Sequence, residues 1–169
     1  MGEWFQRKRI RLPEYDYDTP GAYFITICVK NRQCLLSRIL WPDEREDPQI
    51  QLLPYGVIAS KYLQQIGNFY PDLQLESYVI MPNHIHFILM LHETEEGPSR
   101  TPVPTLQNNA ISRFISTFKR FCNKDFGKNI WQDRSYDHVI RNPEDMYQYL
   151  KYIQENPMRW KLDELYSEE

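Results

Sequence analysis

The stretch "YVIMPNHIHFILML", residues 78–91, joins two apolar segments through a Pro-Asn turn signal and places two histidines one residue apart. Apolar segments on both sides of such a turn predict a β-hairpin whose second strand carries both histidines. Alternate residues of a strand point to the same face of a sheet. His84 and His86 therefore project together, while Ile85 and Phe87 point to the opposite face.

The segments around this hairpin predict further strands and helices. β-Branched and aromatic residues indicate strands, and apolar residues at helical spacing indicate helices, with Asn142 and Pro143 as start signals for the last one. The predicted strands cover 22–29, 73–81, 84–91 and 136–141, and the predicted helices cover 53–70, 106–126 and 142–156. The order βαββαβ followed by a helix predicts an α+β fold: a ferredoxin-like split βαβ unit, with an antiparallel sheet and two helices, plus a C-terminal helix.

Length and composition restrict the class of protein. The 169 residues suit a single domain over 1–169, with a basic N-terminal arm over 1–20 and a flexible loop over 92–105. No apolar run approaches the roughly 20 residues that span a bilayer, so no membrane partner is expected. The three cysteines form no CxxC pair, which favours reduced thiols and a cytoplasmic location.

The distribution of charge is more informative than its sum. A formal net charge of −3 argues mildly against a nucleic-acid partner. Basic residues nevertheless cluster at the N-terminus and along the helix predicted over 106–126, whereas the acidic residues collect elsewhere. The basic residues of interest are Arg7, Lys8, Arg9, Arg11, Arg113, Lys119 and Arg120. These clusters are either solvated faces or surfaces for a nucleic-acid backbone.

The two histidines provide half of a metal site, because imidazole is a common ligand for first-row divalent metals. The alternative is a pair of hydrogen-bonded histidines that binds nothing. No nearby carboxylate or CxxC pair completes a structural zinc site, so a third ligand has to come from elsewhere. His92 lies about 20 Å further along the strand, too far to share one ion. His138 is expected to form a wall of the site or to pack.

The last predicted helix contains a candidate partner for the histidines. Tyr152 and Asn156 are four residues apart and therefore share one helical face. An asparagine amide oxygen suits Mg²⁺ or Mn²⁺, and a phenol next to a divalent ion is a nucleophile that can be activated. The alternative is ordinary packing, because Tyr147 and Tyr149 lie on the same helix.

Four motifs together resemble the single-tyrosine HUH transposases, in particular the REP-associated tyrosine transposases. They are "RLPEYDYDTPGAYFITICVKNRQCLL", "MPNHIHFILML", "IWQDRSYDHVIRNPEDMYQYLKYIQENP" and, within the last, "YIQENP". The resemblance covers residues 7–160 and implies that His84 and His86 bind a divalent metal. It also implies that Tyr152, or Tyr149 in its place, is the nucleophile and that Asn156 is the third metal ligand.

The resemblance further implies a DNA transposition reaction. Members of this family cleave and rejoin single-stranded, hairpin-forming DNA through a 5′-phosphotyrosine intermediate, with Mg²⁺ or Mn²⁺. The basic residues named above become candidates for contacts with the DNA backbone. The resemblance is compatible with a monomer or a homodimer.

Two other functions remain open at this point. A metal-dependent hydrolase would need a third histidine or carboxylate ligand, and none is convincing in the sequence. A non-catalytic protein that binds hairpin nucleic acid would keep the fold without the chemistry. The simultaneous presence of His84, His86, Tyr152 and Asn156 disfavours it.

Overall fold

The computed structural model describes residues 15, 17–43, 46–93 and 109–168. In chain order the strands are β1 (Gly21–Val29), β2 (Ser37–Leu40), β3 (Gln49–Leu52), β4 (Leu73–Ile80), β5 (His84–Leu91) and β6 (Trp131–Ile140). The helices are α1 (Pro54–Gln64), α2 (Ile66–Phe69), α3 (Ala110–Phe126) and α4 (Pro143–Glu155). None of the helices in these ranges is long and apolar enough to cross a membrane.

The main sheet has the strand order β4-β5-β1-β6, and every neighbouring pair is antiparallel. The two central strands, β5 and β1, are therefore not consecutive in the chain, as expected for a split βαβ unit. The predicted α+β fold is confirmed. The hairpin that carries the two histidines is β4–β5, and β5 is covered on both sides by other strands.

Three elements differ from the predictions. Between the strand predicted over 22–29 and the helix predicted over 53–70, where no element is predicted, the chain forms the β2–β3 ribbon, a separate two-stranded sheet of four residues per strand. The last strand is ten residues long and begins at Trp131, not at Tyr136. The helix predicted over 53–70 is interrupted at Gln65, whose φ of −88° and ψ of 3° depart from helical geometry.

The sheet buries a different set of side chains on each face. Ile25 and Phe87 project toward α1 and α3, where they join the larger of two hydrophobic cores. On the other face Phe24 and Ile88 pack with Ile153 of α4 in the smaller core. Because residue parity assigns His84 and His86 to this second face, the histidine pair lies on the same side of the sheet as α4.

The position of α4 follows from its sequence. Asn142 caps the helix, since its Oδ1 accepts a hydrogen bond of 2.8 Å from the backbone N–H of Asp145. Pro143 occupies the first turn, and Glu144 and Asp145 place negative charge where the helix dipole favours it. The helix buries Tyr149 and Ile153 against the sheet. Its C-terminal end therefore lies above the histidine pair.

Candidate active site

His84 and His86 lie side by side at the start of β5. His86 is paired with Thr26 of β1 in the sheet register, and His84 with Cys28. The centroids of the two imidazole rings are 4.5 Å apart. Both histidines have 0% exposure. They form the polar end of a sheet face that is otherwise apolar. Buried polar groups require hydrogen-bond partners or ligands, so the surroundings of the rings decide what they can do.

The hydrogen bonds of Asn83 define which nitrogen of His84 carries the proton. The amide nitrogen of Asn83 donates to the carbonyl oxygen of Leu165 at 2.7 Å and to that of Arg32 at 3.2 Å. Its Oδ1 therefore faces Nδ1 of His84, at 2.8 Å, and has to accept from it. Nδ1 carries the hydrogen, and Nε2 is the basic nitrogen that can bind a metal.

Thr26 has the corresponding role for His86. Its hydroxyl oxygen is 2.7 Å from Nδ1 of His86, and Thr26 is only 1% exposed. A proton on Nδ1 that is donated to this oxygen makes Nε2 the ligand nitrogen of the second ring. The two imidazoles thus have the same arrangement, in which Nδ1 is held by the protein and Nε2 faces the site.

A carboxylate completes the group, contrary to expectation. Asp163 follows the short 3₁₀ turn Trp160–Leu162, and its Oδ2 is 3.9 Å from Nε2 of His84. One ligand atom each from His84, His86 and Asp163 lie within 4.8 Å of one another. The Asp163 side chain is only 4% exposed. The expectation that no carboxylate lies close to the pair is therefore wrong. Asp163 is distant from the histidines along the chain but adjacent to them in the folded protein.

Asn156 is brought to the same place by the end of α4. It is the first residue after the helix, is 2% exposed, and its amide nitrogen lies 3.4 Å from Oδ2 of Asp163. Its Oδ1 is buried and accepts no hydrogen bond from the part of the chain that the structure describes. A buried oxygen acceptor next to a carboxylate and two imidazoles fits a divalent cation.

The tyrosines of α4 occupy different environments. The ring of Tyr152 is half-buried, and its centroid is 5.1 Å from that of His86. Tyr149 is buried, with its ring 4.4 Å from Phe24 and 4.8 Å from His138. Burial, followed by the charge of Asp145 and the neighbouring Tyr152, raises the pKa of Tyr149 above its usual value. Tyr152 is therefore the tyrosine adjacent to the ligand group.

The other two histidines are not part of this group. His138 forms its outer wall, because Nε2 is 3.0 Å from Oδ2 of Asp145 and the ring packs against Tyr149 at a tilt of 34°. Nε2 of His92 is 3.1 Å from Oε1 of Gln74 at the opposite end of β5. Both placements agree with the sequence interpretation.

The basic candidates lie elsewhere. Arg113 and Arg120 are exposed on α3, which packs on the opposite face of the sheet from the histidines. Lys119 donates to the carbonyl oxygens of Gln132, at 2.8 Å, and Asp133, at 3.2 Å. Burial lowers the pKa of Lys119 to about 8. Arg7, Lys8, Arg9 and Arg11 lie outside the described residues.

The four residues that the sequence predicts for the site, His84, His86, Tyr152 and Asn156, lie together, but the residues that hold them were not predicted. Asn83 was interpreted only as part of a turn, and Thr26 only as part of a strand. Asp163 belongs to the acidic segment "LDELYSEE", which has no metal-ligand spacing relative to the histidines. A local signal existed for Asn83 alone, because a polar residue directly before a buried histidine is a ready hydrogen-bond partner.

Comparisons with known proteins point to one family, although no family model matches the chain. An uncharacterised protein of Haemophilus influenzae is 33% identical over 95% of this chain and 93% of its own length. A REP-associated tyrosine transposase of Escherichia coli is 28% identical, covering 85% of this chain and 70% of the relative. A solved structure of a REP-associated tyrosine transposase bound to a REP hairpin has a TM-score of 0.59 and 24% identity, covering 88% of this chain and 74% of that one. Together with the four sequence motifs, these named relatives and the shared α+β fold support the assignment of the chain to the REP-associated tyrosine transposases.

Proposed function

We propose that this protein cleaves and rejoins single-stranded DNA next to a hairpin, with Tyr152 as the nucleophile. The observation that carries the proposal is the position of Tyr152 near the end of α4. The centroid of its ring lies 5.1 Å from that of His86 on β5. One helical turn further along, Asn156 contributes a buried oxygen to the same group. A nucleophile next to a set of metal ligands is the arrangement required for metal-assisted phosphoryl transfer.

His84, His86 and Asn156 would hold a divalent ion, Mg²⁺ or Mn²⁺. The ion supplies charge that polarises the scissile phosphate and stabilises the negative charge of the transition state. Asn83 holds His84 in the tautomer with a basic Nε2, and the contact of Thr26 with Nδ1 of His86 orients the second ring so that its Nε2 faces the site. These contacts make the ligand set ready before DNA binds, so that little reorganisation is needed.

In the reaction, the phenolic oxygen of Tyr152 attacks the phosphorus. The phenol loses its proton as its oxygen bonds to the 5′ phosphate. The bond from phosphorus to the 3′ oxygen breaks, and this oxygen takes up a proton and leaves as a 3′-hydroxyl. Attack by a 3′-hydroxyl on the phosphotyrosine reverses the step and joins two ends. No nucleotide cofactor is consumed, because the phosphotyrosine conserves the bond energy.

Tyr149 is a weaker candidate for the same role. It is 7% exposed and lies between Phe24 and His138. Burial raises its pKa, which disfavours the phenolate needed for attack. Its buried ring also offers DNA little access to the oxygen.

The proposed partner is hairpin DNA with a single-stranded foot. A solved protein with this fold, a REP-associated tyrosine transposase, is bound to a REP hairpin, and this supports a hairpin as the partner. Arg113 and Arg120 on α3, together with Lys119 and the basic cluster at Arg7, Lys8, Arg9 and Arg11, would contact the phosphate backbone. A DNA substrate is consistent with action in the bacterial cytoplasm or nucleoid, and one chain contributes all the residues of the proposed site.

The experiment is an adduct assay. The protein is incubated with labelled single-stranded hairpin DNA and Mn²⁺ or Mg²⁺, and products are separated on a denaturing gel. A protein–DNA adduct is expected for the natural chain and for Tyr147→Phe, whose ring is 59% exposed. The adduct is expected to be lost in Tyr152→Phe and in His84→Ala.

The same assay tests the other two functions. Asp163 is a carboxylate of the kind that a metal-dependent hydrolase would use, so this alternative is no longer disfavoured for want of a ligand. Cleavage without any adduct would support the hydrolase. Binding without cleavage would support the non-catalytic protein, and an adduct that persists in Tyr152→Phe would contradict the role of this tyrosine.

A further inference from the structure

We infer that Asp163 is a fourth protein ligand of the divalent ion, and that the segment from Trp160 to Ser167 exists in part to deliver it. The inference rests on the proposed function, because it assigns a further ligand to the same metal centre. It adds a charged group to a set that otherwise contains only the neutral side chains of His84, His86 and Asn156.

The distances suit one ion. With metal–oxygen bonds of about 2.1 Å, ligand atoms of an octahedral Mg²⁺ site lie about 3.0 Å apart when adjacent and about 4.2 Å apart when opposite. Oδ2 of Asp163 is 3.9 Å from Nε2 of His84. The ligand atoms of His84, His86 and Asp163 all lie within 4.8 Å of one another. Shifts of about half an ångström would therefore place all of them around one cation.

The charge of Asp163 matches the chemistry of the ion. Mg²⁺ and Mn²⁺ prefer oxygen ligands, and Mg²⁺ is usually bound through at least one carboxylate. The side chain of Asp163 is 4% exposed, and its Oδ2 lies 3.9 Å from Nε2 of His84. It therefore presents a buried oxygen ligand of this kind next to the first histidine.

Asp163 also contacts the amide of Asn156. The amide nitrogen of Asn156 lies 3.4 Å from Oδ2 of Asp163, and its Oδ1 is buried with no hydrogen-bond partner among the described residues. Because a carboxylate only accepts hydrogen bonds, this contact identifies which end of the amide is nitrogen. The oxygen of Asn156 is then the end that remains for the cation, as expected if both side chains serve one centre.

The segment after α4 is built to hold Asp163 in place. Oδ1 of Asp163 accepts a hydrogen bond of 2.7 Å from the backbone N–H of Leu165. The carbonyl oxygen of Leu165 accepts from the amide of Asn83, the residue that also holds His84. The hydroxyl of Ser167 donates to the carbonyl oxygen of Arg32 at 2.7 Å. One network thus connects the carboxylate to the first histidine.

The test is a titration of the full-length protein with Mn²⁺, in the absence of DNA, followed by calorimetry and by the electron paramagnetic resonance of the bound ion. Asp163→Asn keeps the shape of the side chain and its acceptor for Leu165. We expect its affinity for Mn²⁺ to fall about tenfold or more, as is typical when a group that supports a metal site is lost. Glu164→Gln removes the same charge from an exposed neighbour and is expected to bind Mn²⁺ as the natural protein does.

The outcomes separate this inference from the proposed function. Unchanged affinity in Asp163→Asn together with weak binding in His84→Ala would overturn the role of Asp163 and leave the other three ligands. Unchanged affinity in both variants would remove the metal centre altogether. Thermal unfolding without metal shows whether Asp163→Asn is folded. Asp163→Glu, which keeps the carboxylate, is expected to bind Mn²⁺ more tightly than Asp163→Asn.

Discussion

At the scale of single residues, the site depends on how the two imidazoles are held. Asn83 and Thr26 each contact an Nδ1 atom, at 2.8 and 2.7 Å, and so direct both Nε2 atoms to one point. The sequence pattern HxH predicts that His84 and His86 share a face. It contains no information on the tautomers, because these depend on Leu165 and on a neighbouring strand.

Thr26 provides the most specific test of this arrangement. Thr26→Val keeps the shape of the side chain but removes the oxygen that contacts Nδ1 of His86. We expect the affinity for Mn²⁺ to fall about 10-fold to 100-fold, because the imidazole loses the partner that orients it. Calorimetric titration of the purified variant measures the change.

The control for this variant is Thr117→Val. Thr117 accepts a hydrogen bond from Tyr70 at 2.9 Å on α3, on the opposite face of the sheet from the histidines. The Thr117→Val variant loses one hydrogen bond of a threonine hydroxyl, as Thr26→Val does, but at a position away from the histidines. Equal losses of Mn²⁺ affinity in the two variants would show that stability, not orientation of His86, is responsible.

At the scale of secondary-structure elements, the strongly apolar segments were predictable and the polar ones were not. β1, β4 and β5 begin and end within one residue of their predictions. The first half of β6 was missed because this edge strand carries exposed polar residues such as Asp133 and Arg134. The β2–β3 ribbon was missed because its strands have four residues each and a polar connection.

The ribbon matters because it abuts α1 through a glycine. A Cβ atom at Gly56 would lie 2.0 Å from the carbonyl oxygen of Leu36 and 2.9 Å from its carbonyl carbon. Both atoms are backbone, and the same oxygen already accepts a hydrogen bond from the N–H of Leu53. The helix can therefore approach the start of the ribbon only where the side chain is absent.

Gly56→Ala is expected to lower the free energy of unfolding by about 1–3 kcal/mol or more, because a backbone segment has to move. Denaturant titration followed by circular dichroism measures the loss. Gly67→Ala in α2 makes the same change where a Cβ atom meets nothing within 4 Å. It is expected to be neutral or to stabilise the helix by up to about 1 kcal/mol. Similar losses at both positions would contradict the close approach at Gly56.

At the scale of the whole molecule, the sheet separates the candidate active site from the basic residues of α3. The histidines, α4 and the segment carrying Asp163 lie on one face, and the basic residues of α3 lie on the other. DNA that reaches both must pass around an edge of the sheet. Asp163 could not be predicted for the same reason: only the complete fold brings it to His84, 79 residues earlier in the chain.

Backbone contacts by α3 predict a change in salt dependence. Each phosphate contact that is lost reduces the slope of log affinity against log salt by about 0.9 for duplex DNA. Arg120→Ala is expected to weaken binding of a DNA hairpin and to lower this slope by about that amount. Fluorescence anisotropy at several salt concentrations measures both quantities. Arg38→Ala, which removes an exposed arginine from β2, is the matched control, and equal slopes for the two variants would contradict a specific contact at Arg120.

The central claim is that Tyr152 becomes covalently linked to DNA, and the chain allows this to be measured directly. Cleavage after Arg141, Lys151 and Arg159 by trypsin places Tyr147 and Tyr149 in the peptide 142–151 and Tyr152 in the peptide 152–159. After reaction with hairpin DNA and Mn²⁺, nuclease digestion leaves a nucleotide on the modified tyrosine, and tandem mass spectrometry locates it. The account predicts the modification on Tyr152. A nucleotide on Tyr149 or Tyr147, or none in a reaction that has cleaved the DNA, would contradict it.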